Sequence, residues 1–172
     1  MSDPLTELHG AIEGRVRSIR HSRPEWPCQK GCDRCCHRLA EIPRLTEAEW
    51  ILLREGLAQA PAEQRRQMES NLVRLTGQTV RPVVCPLLDE VAGACRVYPY
   101  RPVACRTYGF YVQRNQGLYC NDIEQRVAAG EWHDVVWGNQ DSVDRQLRGW
   151  GVVRELTDWF RLSGIGDAGR QN

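Results

Sequence analysis

Residues 26–37 read WPCQKGCDRCCH, which places Cys28, Cys32, Cys35 and Cys36 within nine residues of a polar loop with prolines at its start. Pro24 and Pro27 keep the segment out of a helix, so an irregular loop is expected. A single buried cysteine packs as a small hydrophobe, but four in one polar loop are not core. Thiolates are soft, anionic ligands for zinc and iron, and spacings of two or three residues let one tight loop wrap several around one centre. Metal ligation is therefore the expected chemistry. His37 is a candidate substitute for a thiolate, since zinc accepts mixed Cys/His sets. Adjacent side chains of extended backbone point to opposite sides, so Cys35 and Cys36 are expected to serve two centres more readily than one.

Four further cysteines follow: Cys85, Cys95, Cys105 and Cys120. Residues 83–98, VVCPLLDEVAGACRVY, read as two short strands around a turn at Asp89 to Gly93, flanked by Cys85 and Cys95. Pro102 opens a short helical turn that carries Cys105. A second extended pair, 109–114 and 117–120, surrounds a turn at Asn115-Gln116-Gly117 and ends on Cys120. Eight thiols suit either two four-thiolate sites or one shared site with spare thiols. Disulfides are the alternative for an even count in a secreted protein. The N-terminal stretch MSDPLTELHGAIEGRVRSIR lacks the features of a signal peptide, so a reducing cytoplasm, and with it metal chemistry, is expected.

The remaining chain reads as scaffold. Leu5, Leu8, Ile12, Val16 and Ile19 recur at helical steps and define an amphipathic helix over 4–21. His9 and His21, on or beside it, read as surface or boundary residues. The stretch RLAEIPRL after the first cysteines reads as extended. Thr46 and Glu49 form a capping box for a helix through about Gln59, with Trp50, Leu53 and Leu57 inward. Pro61 starts a second helix with Met68, Leu72 and Leu75 inward, stopped by Gly77. Helical patterns return within 122–162, and the last eight or so residues read as frayed. The six tryptophans fall mostly at helical spacings and read as core. The expected fold is α+β, mostly helical, a single small domain over 1–172 with short hairpins and cysteine-rich metal-binding loops at 28–120.

Composition narrows the partners. A net charge of +1 on 172 residues supplies no field for nucleic acid or an anionic membrane, and no apolar run approaches the roughly 20 residues of a membrane span. Basic charge is nearly all arginine, Lys30 being the only lysine. No Ser/His/Asp arrangement or paired carboxylates are legible. Cys28, Cys32 and Cys35 share the spacing of the radical S-adenosylmethionine motif, but the chain is too short for that barrel and Arg34 stands where the motif prefers an aromatic. Gly164 to Gly169 matches G-x-G-x-x-G without the strand and long helix that a dinucleotide site needs. His133 beside Trp132 reads as structural.

Taken together, WPCQKGCDRCCH and residues 85–110, CPLLDEVAGACRVYPYRPVACRTYGF, resemble the YkgJ-type cysteine-cluster family, described as a zinc- or iron-chelating domain with a C-x-x-C-x-x-C-C motif. Its second signature is met by Cys85-Pro86, Leu88, Gly93, Cys95, Tyr98, Arg101-Pro102 and Cys105-Arg106, and Cys120 stands where a further cysteine commonly occurs. Three residues rather than two separate Cys28 from Cys32, a departure from the motif. The resemblance implies metal binding by these cysteines. It extends to the cysteine domain of flagellin lysine N-methylases, longer chains associated with an iron–sulfur cluster. A net-negative thiolate centre would be neutralised by neighbouring arginines, which makes Arg101 and Arg106 candidate cofactor-binding residues. An acidic substrate is the other ligand they suit, and Arg101 also reads as support for the turn at Pro102.

An iron–sulfur cluster is preferred to zinc. Zinc ribbons show two even C-x-x-C pairs, whereas a cluster spreads its irons and tolerates uneven spacing. The expected role is redox chemistry, metal handling or an accessory function, with a protein partner or substrate as further ligand. The alternatives are an S-adenosylmethionine-dependent protein lysine methyltransferase-like enzyme and a structural zinc interaction module.

Overall fold

A computed structural model describes residues 3–164. The expected fraying of the C-terminus and most of the G-x-G-x-x-G match lie outside the described residues. The described residues divide into two compact units, one of residues 3–29 with 103–151, the other of 30–102 with 152–164. Helices dominate both, joined by short two- and three-stranded sheets. This is the mostly helical α+β class expected. No described helix is long and apolar enough to cross a membrane.

In the first unit, helix α1 (Pro4–Ser22) begins under Asp3, whose carboxylate accepts from Thr6 N–H at 3.1 Å. Its buried stripe is Leu5, Leu8, Ile12, Val16 and Ile19, the five residues read from the spacing. Strands β4 (Tyr111–Gln113) and β5 (Gln116–Leu118) form the second hairpin. Its turn sits at Arg114 and Asn115, both at positive φ, one residue earlier than read. Asp141 explains the shift, because its carboxylate accepts from Arg114 N–H at 2.8 Å. Strand β6 (Gly138–Asn139) joins β4 in parallel; two residues carry too little pattern to be foreseen. Helices α5 (Val103–Thr107), α6 (Asn121–Ala128) and α7 (Gln140–Gly149) complete the unit.

An aromatic cluster fills its interior. Trp26 stacks on Trp132 at 4.3 Å between ring centroids and on Phe110 at 5.8 Å, with Trp137 tilted against it. Trp26 Nε1 donates to the Gly109 carbonyl at 3.1 Å. The tryptophans are core only in part: Trp26, Trp50 and Trp132 are buried, but Trp150 is 38% exposed.

The second unit has an aliphatic core. Helix α3 (Glu47–Gln59) starts at the expected capping box: Glu49 N–H donates to Thr46 Oγ1 at 3.3 Å, and the Thr46 N–H donates to Glu49 Oε2 at 2.8 Å. Helix α4 (Ala62–Thr76) follows Pro61 and ends on Gly77. Leu53, Leu57, Met68 and Leu72 from these helices pack with Leu45, Val83, Leu156 and Phe160. Strand β1 (Arg44–Thr46) pairs with β7 (Val153–Glu155), and β7 runs on into α8 (Leu156–Leu162). That pairing joins segments more than a hundred residues apart, beyond local pattern. The first hairpin, β2 (Leu88–Asp89) with β3 (Ala94–Cys95), is where the reading placed it.

Candidate metal centre

In the second unit, residues 34–37 are not extended: they form a helical turn, α2 (Arg34–His37). Asp33 supports it, its carbonyl accepting from Cys36 N–H at 2.8 Å and from His37 N–H at 3.2 Å. Neighbours on a helix diverge by roughly 100° rather than pointing opposite ways. The premise that set Cys35 and Cys36 on opposite sides therefore fails, and the two thiols are close enough to influence each other's protonation.

Backbone pairing then delivers the next thiol. Leu39 and Val83 exchange two hydrogen bonds of 2.9 Å, and Cys85 N–H donates to the Cys36 carbonyl at 2.7 Å. The segments around Leu39 and Val83 thus pair antiparallel, which sets Cys36 and Cys85 beside each other as interacting thiols. Leu88 N–H turns back onto the Cys85 carbonyl at 3.2 Å and opens β2, across which Cys95 stands opposite Leu88. Cys95 is close enough to interact electrostatically with both Cys35 and Cys36. Four cysteines from three segments are neighbours for this reason.

Arg101 supplies the adjoining cation. Its guanidinium carbon lies 3.5 Å from the Tyr98 ring centroid, and its Nε donates to the Tyr98 carbonyl at 2.9 Å. Its charge favours the thiolates of Cys35 and Cys95. Even so, Cys35, Cys36 and Cys95 are all shifted toward the protonated form. The Cys35 thiol is pushed far up by its hydrogen bond to Cys36 and by burial. For Cys36, the bond from Cys35 favours the thiolate, but the bond to Cys85, burial and the neighbouring sulfurs outweigh it and push it up to about 12. Burial raises Cys95 as well. Deprotonation here needs a strong local charge, and a bound cation supplies one.

The donor set fits a thiophilic metal. Zinc–sulfur bonds near 2.3 Å put tetrahedral sulfurs roughly 3.8 Å apart, a spacing that neighbouring thiols on loops can reach by small shifts. The thiols stand as pairwise contacts, and among the described residues no three His, Cys, Asp or Glu groups already converge as one ion's ligands. Cys32, half-buried in the same unit, is outside this chain of contacts. His37 Nε2 is committed to Asp33 at 2.9 Å on the exposed side of the turn.

The first unit carries Cys28, Cys105 and Cys120. Cys28 is fixed by its surroundings: its carbonyl accepts from Arg20 Nε at 3.0 Å and Nη2 at 2.7 Å. Its sulfur lies against Gly109, where a Cβ would run into it and where φ is +89°. Cys105 rides on α5, and Cys120 is the N-cap of α6. The charge of Arg106 reaches His9, whose pKa is lowered to about 4 by burial first and by Arg106 second.

Sequence reasoning missed Tyr98, Asp33, Arg20 and Gly109 as supports of the thiols. Their roles run through backbone carbonyls, a ring face and a missing Cβ, none of which leaves a residue-type signal.

Fold and site together define a mostly helical α+β protein whose gathered cysteines suit a soft metal. The chain belongs to the CxxCxxCC family, described as a zinc- or iron-chelating domain, whose pattern matches residues 27–131. That membership supports metal binding. No curated protein and no solved structure matched the chain.

Proposed function

We propose that this protein binds an iron–sulfur cluster, in preference to zinc, through its clustered cysteines, and serves redox chemistry, metal handling or an accessory role. The observation that carries the reading is the neighbourhood that Cys35, Cys36, Cys85 and Cys95 share with Arg101, set up by the Cys36–Cys85 backbone bond and the β2–β3 hairpin. Those four are the proposed ligands of one centre. Cys28, Cys32, Cys105 and Cys120 are the further proposed ligands, and Arg106 joins Arg101 as a proposed cofactor-binding residue.

Four thiolates around a divalent ion, or around a common four-iron cluster, leave a net negative charge. Arg101, held flat on Tyr98, offsets part of it and can donate hydrogen bonds to sulfur, which tunes reduction potential. Spacings of C-x3-C-x2-C-C with widely separated later cysteines suit irons spread over a cluster better than one tetrahedral ion. Thiols kept free for metal fit the reducing cytoplasm.

The test is purification without oxygen, followed by iron, acid-labile sulfide and zinc analysis with a visible spectrum. Iron and sulfide in equal amounts with a brown chromophore are expected. A colourless protein with stoichiometric zinc, even when expressed with ample iron, would favour a structural zinc site instead.

A further inference from the structure

Cys36 and Cys85 differ from the other gathered thiols, because their backbones as well as their sulfurs are paired. Cys85 N–H donates to the Cys36 carbonyl at 2.7 Å, and the isolated antiparallel Leu39–Val83 bridge ties the same two segments together. A backbone hydrogen bond this short keeps the two Cα atoms within roughly 6.5 Å of each other, inside the span of roughly 4.4–6.8 Å that a disulfide bridges. Cys35 also touches Cys36, but adjacent Cα atoms are about 3.8 Å apart, too close for an unstrained bridge. Both residues of the favoured pair are partly exposed.

We propose that Cys36 and Cys85 form an oxidisable thiol pair whose disulfide closes the metal centre. This rests on the chelation reading above and adds its regulation. The oxidant is a low-molecular-weight disulfide such as oxidised glutathione. One protein sulfur attacks it, forming a mixed disulfide and releasing one glutathione thiol. The second protein sulfur then attacks the bound one, forming the Cys36–Cys85 bond and releasing the second glutathione thiol. Two protons and two electrons pass from the protein pair to the oxidant. The bridge removes two of the four proposed ligands, so the metal cannot bind until a dithiol reduces it. A metal already bound occupies both sulfurs and protects them.

The experiment treats the full metal-free chain with oxidised glutathione, maps disulfides by mass spectrometry of a non-reducing digest, and measures zinc and iron uptake before and after. A Cys36–Cys85 cross-link is expected, with free thiols falling from the eight of the chain by two. Metal uptake should fall at least tenfold and return on treatment with dithiothreitol. Cys120→Ser should form the same bridge, and Cys85→Ser should leave Cys36 unlinked. The inference is overturned if Cys36 bridges to a different cysteine, or if Cys36 and Cys85 stay free while the reduced chain takes up metal. If the bridge forms in a chain that takes up no metal even when reduced, the pairing is upheld and the chelation reading fails.

Discussion

The two units hold their cysteines by different physics. In the unit of residues 30–102 and 152–164, thiols meet because backbones pair: the α2 turn lies against 83–85, and the β2–β3 hairpin swings Cys95 in behind. An aliphatic core beneath, with Leu53, Met68 and Leu72 at or near zero exposure, fixes the helices that carry these loops. In the unit of residues 3–29 and 103–151, the interior is a stack of aromatic rings, and Cys28 is held through Arg20 and the bare backbone of Gly109. Backbone pairing gathers several thiols at once, whereas aromatic packing positions one thiol at a time. Ligation should therefore be shared in the first case and individual in the second.

The largest expected effect breaks that contrast outright. Cys35→Ser or Cys95→Ser should lower metal content on the order of tenfold or more and lower thermal stability with it, because binding energy orders these loops. Cys120→Ser removes a thiol that caps a helix without a side-chain capping bond, and should keep more of the metal. Metal analysis and melting curves on the three variants check this. Equal loss in all three would mean that the backbone-paired set has no special standing.

Arg101 and Tyr98 sharpen it next. Removing an outer partner of a metal ligand typically costs about 10–100-fold in affinity. Arg101→Gln should fall in that range, and Tyr98→Leu should approach it by releasing the guanidinium. Tyr98→Phe keeps the ring face and the backbone carbonyl, so it should bind as wild type. Competition with a chelator measures all three, and a Tyr98→Phe protein as weak as Tyr98→Leu would remove the stacking from the account.

Two glycines compare the units on stability alone. At Gly109 a methyl group meets Cys28 Sγ at a φ of +89°, so Gly109→Ala combines left-handed strain with a clash in which little can yield. A loss of about 3 kcal/mol is expected. At Gly56 the added Cβ would lie 2.6 Å from the Tyr100 ring, with no unusual φ, and overpacking costs about 1–3 kcal/mol. Urea denaturation should rank Gly109→Ala as the more damaging, and the reverse order would show that the aromatic unit absorbs strain that the aliphatic one cannot.

What was legible in the sequence follows the same division. The stripe of α1, the capping box of α3, the stop at Gly77 and the hairpin between Cys85 and Cys95 were all readable, because each is written in residues within a few turns of one another. The eight cysteines were conspicuous by type. The helical conformation of residues 34–37 was not readable: two prolines precede the segment, and it takes its shape from Asp33 and from the strand-like run at 83–85. The β1–β7 pairing, the parallel β6 and the Cys28 contact with Gly109 are long-range. No local spacing encodes them. Trp26 shows the cost of reading by helical period alone, since it belongs to a loop and yet centres the aromatic cluster.

The smallest expected effect concerns acid. His9 is half-buried on α1, and its Nε2 is buried with no hydrogen-bond partner among the described residues. Burial and then the charge of Arg106 lower its pKa from 6.5 to about 4, with Asp3 opposing. Above pH 6.5 the imidazole is neutral whether the chain is folded or not, so this contribution is fully present. Between 6.5 and 4 the unfolded chain takes up a proton that the folded chain refuses, so stability falls as pH drops through that window. Because His9 is only partly buried, screening makes the loss smaller than that of the glycine variants. The measurement is urea denaturation of metal-free protein at neutral pH and near pH 5, since acid also strips metal from thiolates. His9→Leu cannot take up the proton in either state, so its stability should change less between the two conditions than that of wild type. An equal change in both proteins would place the acid sensitivity elsewhere, and His9 would then be no better shielded than an ordinary surface histidine.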